Sequence, residues 1–201
     1  MRAIIGFVLF CQLALFLPAG AATFTEPSTN LHFPDAIGAW QRKKVMQFPD
    51  KKLGVEINYQ NRDGSVAAFF VYNDGIARIP TGAENGVVKK EFATVQSEML
   101  GTITNRFAEV GKLLESAPKV KGPGKNATLL VAAYQFREKP KGRHHLSWLL
   151  ITGYKNQFLK LRYTHSYERP NIDFERGQVD LKQLITGFLD KNAENKNAFW
   201  M

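Results

Sequence analysis

Four histidines, His32, His144, His145 and His165, are the only imidazoles in the 201-residue chain. Two of them are adjacent in REKPKGRHHLSW, residues 137–148, beside Arg137, Lys139, Lys141 and Arg143. Metal ligation, acid–base catalysis and anion binding therefore all have raw material in one stretch. Neighbours on an extended strand point to opposite faces, so His144 and His145 could share a metal only if the backbone twisted between them. No H-x-x-x-H, H-x-H or C-x-x-C spacing accompanies them. His165 shares a strand face with Leu159, Leu161 and Tyr163, which reads as a structural imidazole. No metal site is expected.

Other chemistry is equally thin. The G-x-S-x-G elbow of serine hydrolases is absent. The glycines of KGPGKN lack the Ser or Thr and the following helix that a phosphate cradle requires. Asp173 and Glu175, beside Arg169 and Arg176, read as charge around a helix start rather than as facing hydrolytic carboxylates. Cys11, the only cysteine, lies inside the apolar leader. No catalytic residue and no cofactor site is expected, and the chain reads as a non-enzyme.

What is concentrated is positive charge. PKVKGPGK contributes Lys119, Lys121 and Lys125, and the tip REKPKGR contributes Arg137, Lys139, Lys141 and Arg143 against Glu138 alone. The two loops flank one strand, about 30 Å apart at about 3.3 Å per residue, so one small ligand cannot touch both. The second loop, Arg137, Lys139, Lys141 and Arg143, is the expected contact for an anionic partner.

The leader sets where that partner would be met. Arg2, an apolar run from Ala3 to Leu17, Pro18 and small residues make a secretory signal over residues 1–21, with cleavage expected after Ala21. The run is too short to span a bilayer, and no transmembrane segment is expected after cleavage. Residues 22–30 read as an N-terminal tail, 31–191 as a single domain and 192–201 as a C-terminal tail carrying Phe199 and Trp200. The expected location is periplasmic or secreted. Whole-chain charge is 27 Lys plus Arg against 18 Asp plus Glu. Outside the cytoplasm that excess points to anionic envelope surfaces or membrane-associated proteins and not to nucleic acid.

Hydrophobic periodicity supplies the elements. Residues 39–48, 53–60 and 66–72 read as strands; in the second, Val55, Ile57 and Tyr59 alternate with Glu56, Asn58 and Gln60. Val88, Phe92, Val95, Met99, Ile103, Phe107, Val110 and Leu114 then recur every three or four residues, which predicts one long helix over 86–117. Strands follow over 127–136, 146–154 and 158–166, and a C-terminal helix carries Leu181, Leu184, Ile185, Phe188 and Leu189. The expected fold is α+β: a six-stranded antiparallel sheet in two three-strand meanders, packed with a long central helix and a C-terminal helix.

The opening FPDAIGAW, the hairpin around FPDKKLGVEINY, the mid-chain helix and the closing QFLKLRYTHS before a terminal helix give this order a resemblance to the PsbP-like fold of lumenal and periplasmic proteins. The likeness is one of architecture and spans roughly residues 31–191. It implies a non-catalytic accessory or binding protein, often acting on a membrane-associated complex. The leading expectation is thus an exported binding protein acting by surface contacts with an envelope component. The alternative is a carrier holding an apolar or lipid-like ligand between the long helix (Phe92, Phe107) and the sheet (Phe69, Phe70, Trp148, Phe158). A hydrolase whose site no motif reveals comes third.

Overall fold

The computed structural model describes residues 23–116, 119–121, 126–139, 142–167 and 170–192. The leader, Lys125, Lys141 and the terminal Phe199 and Trp200 lie outside the described residues. In chain order the strands are β1 Phe24–Glu26, β2 Leu31–Phe33, β3 Ala36–Ile37, β4 Trp40–Gln47, β5 Val55–Gln60 and β6 Val66–Tyr72. After helix α1, Gly86–Arg106, come β7 Phe107–Ser116, β8 Lys119–Lys121, β9 Asn126–Thr128, β10 Leu130–Glu138, β11 His144–Tyr154 and β12 Gln157–Tyr167. Helix α2, Pro170–Lys191, closes the described chain.

Eight strands form one antiparallel sheet in the order β3-β4-β5-β6-β12-β11-β10-β7, while β1-β2 and β8-β9 are separate ribbons. The expectation of a six-stranded sheet in two three-strand meanders is therefore wrong. Among the described residues the protein is mostly sheet with two helices, and the second half of the large sheet is a four-strand run, β7-β10-β11-β12. The two halves join where β6 pairs with β12, from Phe158↔Tyr72 to Thr164↔Val66.

The long helix is the specific error. Helix α1 stops at Arg106, and the next ten residues are β7. Two register shifts against β10 each insert one extra residue, between Ala108 and Gly111 and between Lys112 and Leu114. A strand with such bulges loses its period of two, and Phe107, Val110 and Leu114 fall at spacings that imitate a helix. Pairing with β7 also covers the outer edge of β10, whose Val131, Ala132, Ala133 and Tyr134 are all buried; such a strand would be a hazard if its backbone were left open.

The helices occupy opposite faces. On one, Leu181, Leu184 and Phe188 of α2 enter a cluster with Phe33, Tyr59, Phe69, Trp148 and Tyr163. Phe188 lies 4.8 Å from Phe69 and 5.2 Å from Phe33, ring centre to ring centre. Close approach there requires Gly177, because a Cβ at that position would stand 2.8 Å from the Trp148 ring. On the other face Val88, Phe92, Val95, Met99 and Ile103 of α1 pack on Tyr134, Phe136, Leu149, Ile151 and Phe158. The Asn85 side chain starts α1 by accepting the Val88 N–H at 2.9 Å, the usual role of Asn before a helix. Phe69, Phe92, Trp148 and Phe158, weighed for a carrier, are each 5 % exposed or less within these two cores.

Helix α1 packs mainly over β7, β10 and β11. On that same face β4, β5, β6 and the C-terminal half of β12 form a broad polar floor.

Candidate functional site

Strand register fixes the floor. Its first row runs Met46, Glu56, Phe70, Lys160, and its second Lys44, Asn58, Ala68, Arg162. A third runs Gln41, Gln60, Val66, Thr164. The rows end against Ile151, Leu149 and Ser147 of β11, the first two of which belong to the core under α1. The alternation that buries Leu161 and Tyr163 on the α2 side turns Lys160, Arg162 and Thr164 to this one.

Its two central cations differ. The Lys160 ammonium lies 4.3 Å from the centre of the Phe70 ring and 4.9 Å from that of Tyr72, a cation–π arrangement. Burial lowers its pKa, while Glu91, Glu98 and Glu56 act in the opposite sense. Glu91 is itself held by the Tyr72 hydroxyl, which donates to Oε1 at 2.6 Å. Lys160 thus has two ring faces against it and carboxylates of α1 in its surroundings. Arg162, half-buried between Ala68 and Leu149, makes no ion pair or side-chain hydrogen bond with any described residue. Burial lowers its pKa and no carboxylate offsets it. Ala68 and then Asn58 follow it in the same cross-strand row. A planar fork of N–H donors on a half-buried floor is suited to a carboxylate or phosphate.

Beyond Thr164 the floor leads to the end of the sheet that carries the β10–β11 tip. The structure treats the four expected contact residues there differently. Arg137 is paired with Glu109 of β7. Lys139 is exposed and reaches the Thr104 carbonyl at 3.4 Å, and Arg143 is exposed. Lys141 lies outside the described residues. Arg62, in the turn between β5 and β6, is exposed at the same end, because Val66 pairs with Thr164 and His144 with Tyr167. The acids of this end are engaged: Asp63 with Arg176 at 3.1 Å, Glu138 with His145 at 3.1 Å, and Glu109 with Arg137.

The two neighbouring histidines point to opposite faces. His144 packs on Tyr167, 5.3 Å away, and His145 stacks on Phe136 at 5.3 Å and meets Phe107 edge-on at 5.7 Å. His145 bridges two partners. Its Nε2 is 3.1 Å from Glu138 Oε1 and its Nδ1 is 3.1 Å from the exposed Ser166 hydroxyl. Contact with His145 and the Arg143 backbone holds the Glu138 carboxyl below the usual range. No group of three or more His, Cys, Asp or Glu suited to a metal ion occurs among the described residues.

Sequence reasoning missed Arg162 as a site residue. Its face was legible from alternation, but the lack of a carboxylate opposite it depends on which strands flank β12.

No protein-family model matches the chain, and no curated protein matches it. Among solved structures, one similar chain is a protein of unknown function from Pseudomonas aeruginosa, at 13 % identity and a TM-score of 0.36. The match covers 82 % of this chain and 93 % of that one.

Proposed function

We propose that this is an exported, non-catalytic binding protein that takes an anionic group of an envelope surface, with Arg162 as the anchoring contact. One observation carries the reading: a half-buried guanidinium with no acid paired to it among the described residues, where Arg42 and Arg137 are ion-paired and Lys160 lies on two aromatic rings. A charge held that way is costly unless an anion completes it. Arg62, Lys139 and Arg143 at the end of the floor, with Lys141 adding its charge in sequence between the last two, supply longer-range attraction, which steers an anionic surface toward Arg162 and weakens with salt.

Sedimentation with phosphatidylglycerol-containing and purely zwitterionic vesicles tests this. Binding is expected only to the anionic vesicles. Arg162→Gln should abolish most of it, and joint neutralisation of Arg62, Lys139, Lys141 and Arg143 should slow association and flatten the salt dependence. Equal binding to both vesicle types, or by the Arg162→Gln variant, would refute the proposal.

The Ser166–His145–Glu138 series supports a second reading. A hydroxyl on one ring nitrogen and a carboxylate on the other is the arrangement of an activated nucleophile: Ser166 attacks, His145 takes its proton and Glu138 orients the ring. On this reading Ser166→Ala abolishes hydrolysis of small activated esters while vesicle binding persists. The binding proposal expects no such hydrolysis.

A further inference from the structure

On the opposite face, where α2 crosses the end of the β5–β6 hairpin, a series of polar side chains runs inward from the surface. Asp63 accepts the Ser65 N–H at 2.9 Å, the Ser65 hydroxyl at 2.7 Å and an Arg176 N–H at 3.1 Å. Ser65 Oγ is also 2.7 Å from His165 Nδ1. The single Ser65 proton is committed to Asp63, so Nδ1 must carry the hydrogen of that second bond. In a neutral imidazole, Nε2 is then a bare acceptor.

That nitrogen has no partner, although His165 is only 5 % exposed. Two further buried atoms in the same place also lack one: the hydroxyl of Tyr163, a residue 0 % exposed, and Oδ2 of Asp180 on α2. Tyr163 cannot swing away, since its ring is wedged 5.6 Å from Trp40 and 5.2 Å from Trp148. The groups feel one another. Burial raises the Tyr163 pKa, with Asp180 and Asp63 adding to it, and burial and then Asp63 raise that of the Asp180 carboxyl against Arg176 and His165. Ser65 also acts on the Tyr163 phenol, but without the geometry of a hydrogen bond.

His165 Nε2 and Asp180 Oδ2 are two acceptors and the Tyr163 hydroxyl supplies one proton, while Arg176, one turn before Asp180 on α2, turns its Nη2 to Asp63 and bonds neither of them. In this arrangement at least one buried acceptor is left without a donor. A native interior seldom leaves such an atom bare. We propose that the space bounded by Tyr163, His165 and Asp180 is a binding site for one water-sized molecule that donates at least two hydrogen bonds, either water or ammonium. A water would donate to Nε2 and Oδ2 and accept from the Tyr163 hydroxyl, satisfying all three atoms; such bridging is the ordinary role of a buried water. Ammonium would donate to all three and would add a positive charge beside Asp180. Either occupant would continue the series Asp63, Ser65, His165 across to α2, fastening that helix to the hairpin.

The rival arrangement is a shared proton: an imidazolium at His165 donating straight to Asp180, with no molecule between them. Ring-nitrogen NMR of the protein at neutral pH separates the two. The proposal expects a protonated Nδ1 and an unprotonated, hydrogen-bonded Nε2 at His165; protonation of both nitrogens overturns it. A crystal structure from ammonium-free buffer should show a density peak within hydrogen-bonding distance of all three atoms, and an empty or collapsed space also overturns it. Thermal melting in ammonium chloride and sodium chloride of equal ionic strength then identifies the occupant. A higher midpoint in ammonium that disappears in Asp180→Asn assigns ammonium, and equal midpoints assign water. With either occupant Tyr163→Phe should lower the midpoint by about 2–4 °C, whereas a rise would mean that the hydroxyl was unpartnered and the site empty.

Discussion

The side-chain amide of Asn192 grips the backbone of His32 as a neighbouring strand would. Its Oδ1 accepts the His32 N–H at 2.8 Å and its Nδ2 donates to the His32 carbonyl at 3.0 Å. Nδ2 also donates to the Phe188 carbonyl at 2.9 Å, so the same amide closes the end of α2 and completes the free edge of β2. On either side of His32, Leu31 and Phe33 are fully buried. Asn192→Ala leaves the His32 N–H and carbonyl unmet and should cost about 1–3 kcal/mol. Asn192→Asp, which keeps the acceptor and loses the donor, should fall between. Urea unfolding of the three proteins, at constant m-value, checks the order.

Arg162 should behave in the opposite way. Because no acid meets it among the described residues, Arg162→Met removes a half-buried charge and fills the same floor with apolar surface. Thermal stability in low-phosphate buffer is expected to hold or rise. Added inorganic phosphate, at fixed ionic strength, should raise the melting midpoint of the wild type and leave the variant unmoved. Calorimetry in the two buffers reads both effects.

A pH dependence follows from Asp63. Burial pushes its carboxyl up, but the two hydrogen bonds from Ser65, then His165 and Arg176, bring it below the usual value. A carboxyl with a depressed folded-state pKa gives stability that is complete above the unfolded pKa, about 3.9, and is lost as pH falls through the folded value. Wild type and Asp63→Asn should therefore differ most at neutral pH and converge below pH of about 3–4. A gap between the two that did not narrow in acid would show that Asp63 acts through packing.

The contrast between β5 and β7 shows how far the sequence could be read. Val55, Ile57 and Tyr59 alternate cleanly because β5 is regular and one face is covered, so period and structure agree. In β7 the bulges put Phe107 and Val110 on the α1 side at a spacing of three, and only the partner strand reveals it. Two-residue β3 is too short to leave a pattern. The cationic hairpin tip was legible as local composition, yet the Glu109 that engages Arg137 comes from another strand. His165 shares its face with Tyr163 as alternation implies, but its link to Ser65 crosses 100 residues. Local period survives in sequence, whereas the pairing of polar groups depends on register.

At Gly153 the end of β11 receives the segment that leads into α1. Gly82 and Gly153 exchange backbone hydrogen bonds at 2.9 and 3.2 Å. Asn156 adds two more, accepting the Ile79 N–H at 2.7 Å and donating to the Ala77 carbonyl at 3.0 Å. A Cβ at residue 153 would stand 2.0 Å from the Pro80 carbonyl oxygen, which is backbone and cannot rotate out of the way. Gly153→Ala must therefore push residues 79–82 off the sheet. With them would go the buried Ile79 and Ala83 and the anchor of Asn85, whose Nδ2 donates to the Gly82 carbonyl at 3.0 Å. The loss should exceed about 3 kcal/mol, in the range reserved for broken cores and strained backbone. Because α2 sits on the far face, the damage should be one-sided. Amide exchange should accelerate first at Gly82 and Val88, while protection in the middle of α2 falls only with global unfolding. Uniform acceleration across both helices would show that the two faces unfold as a single unit.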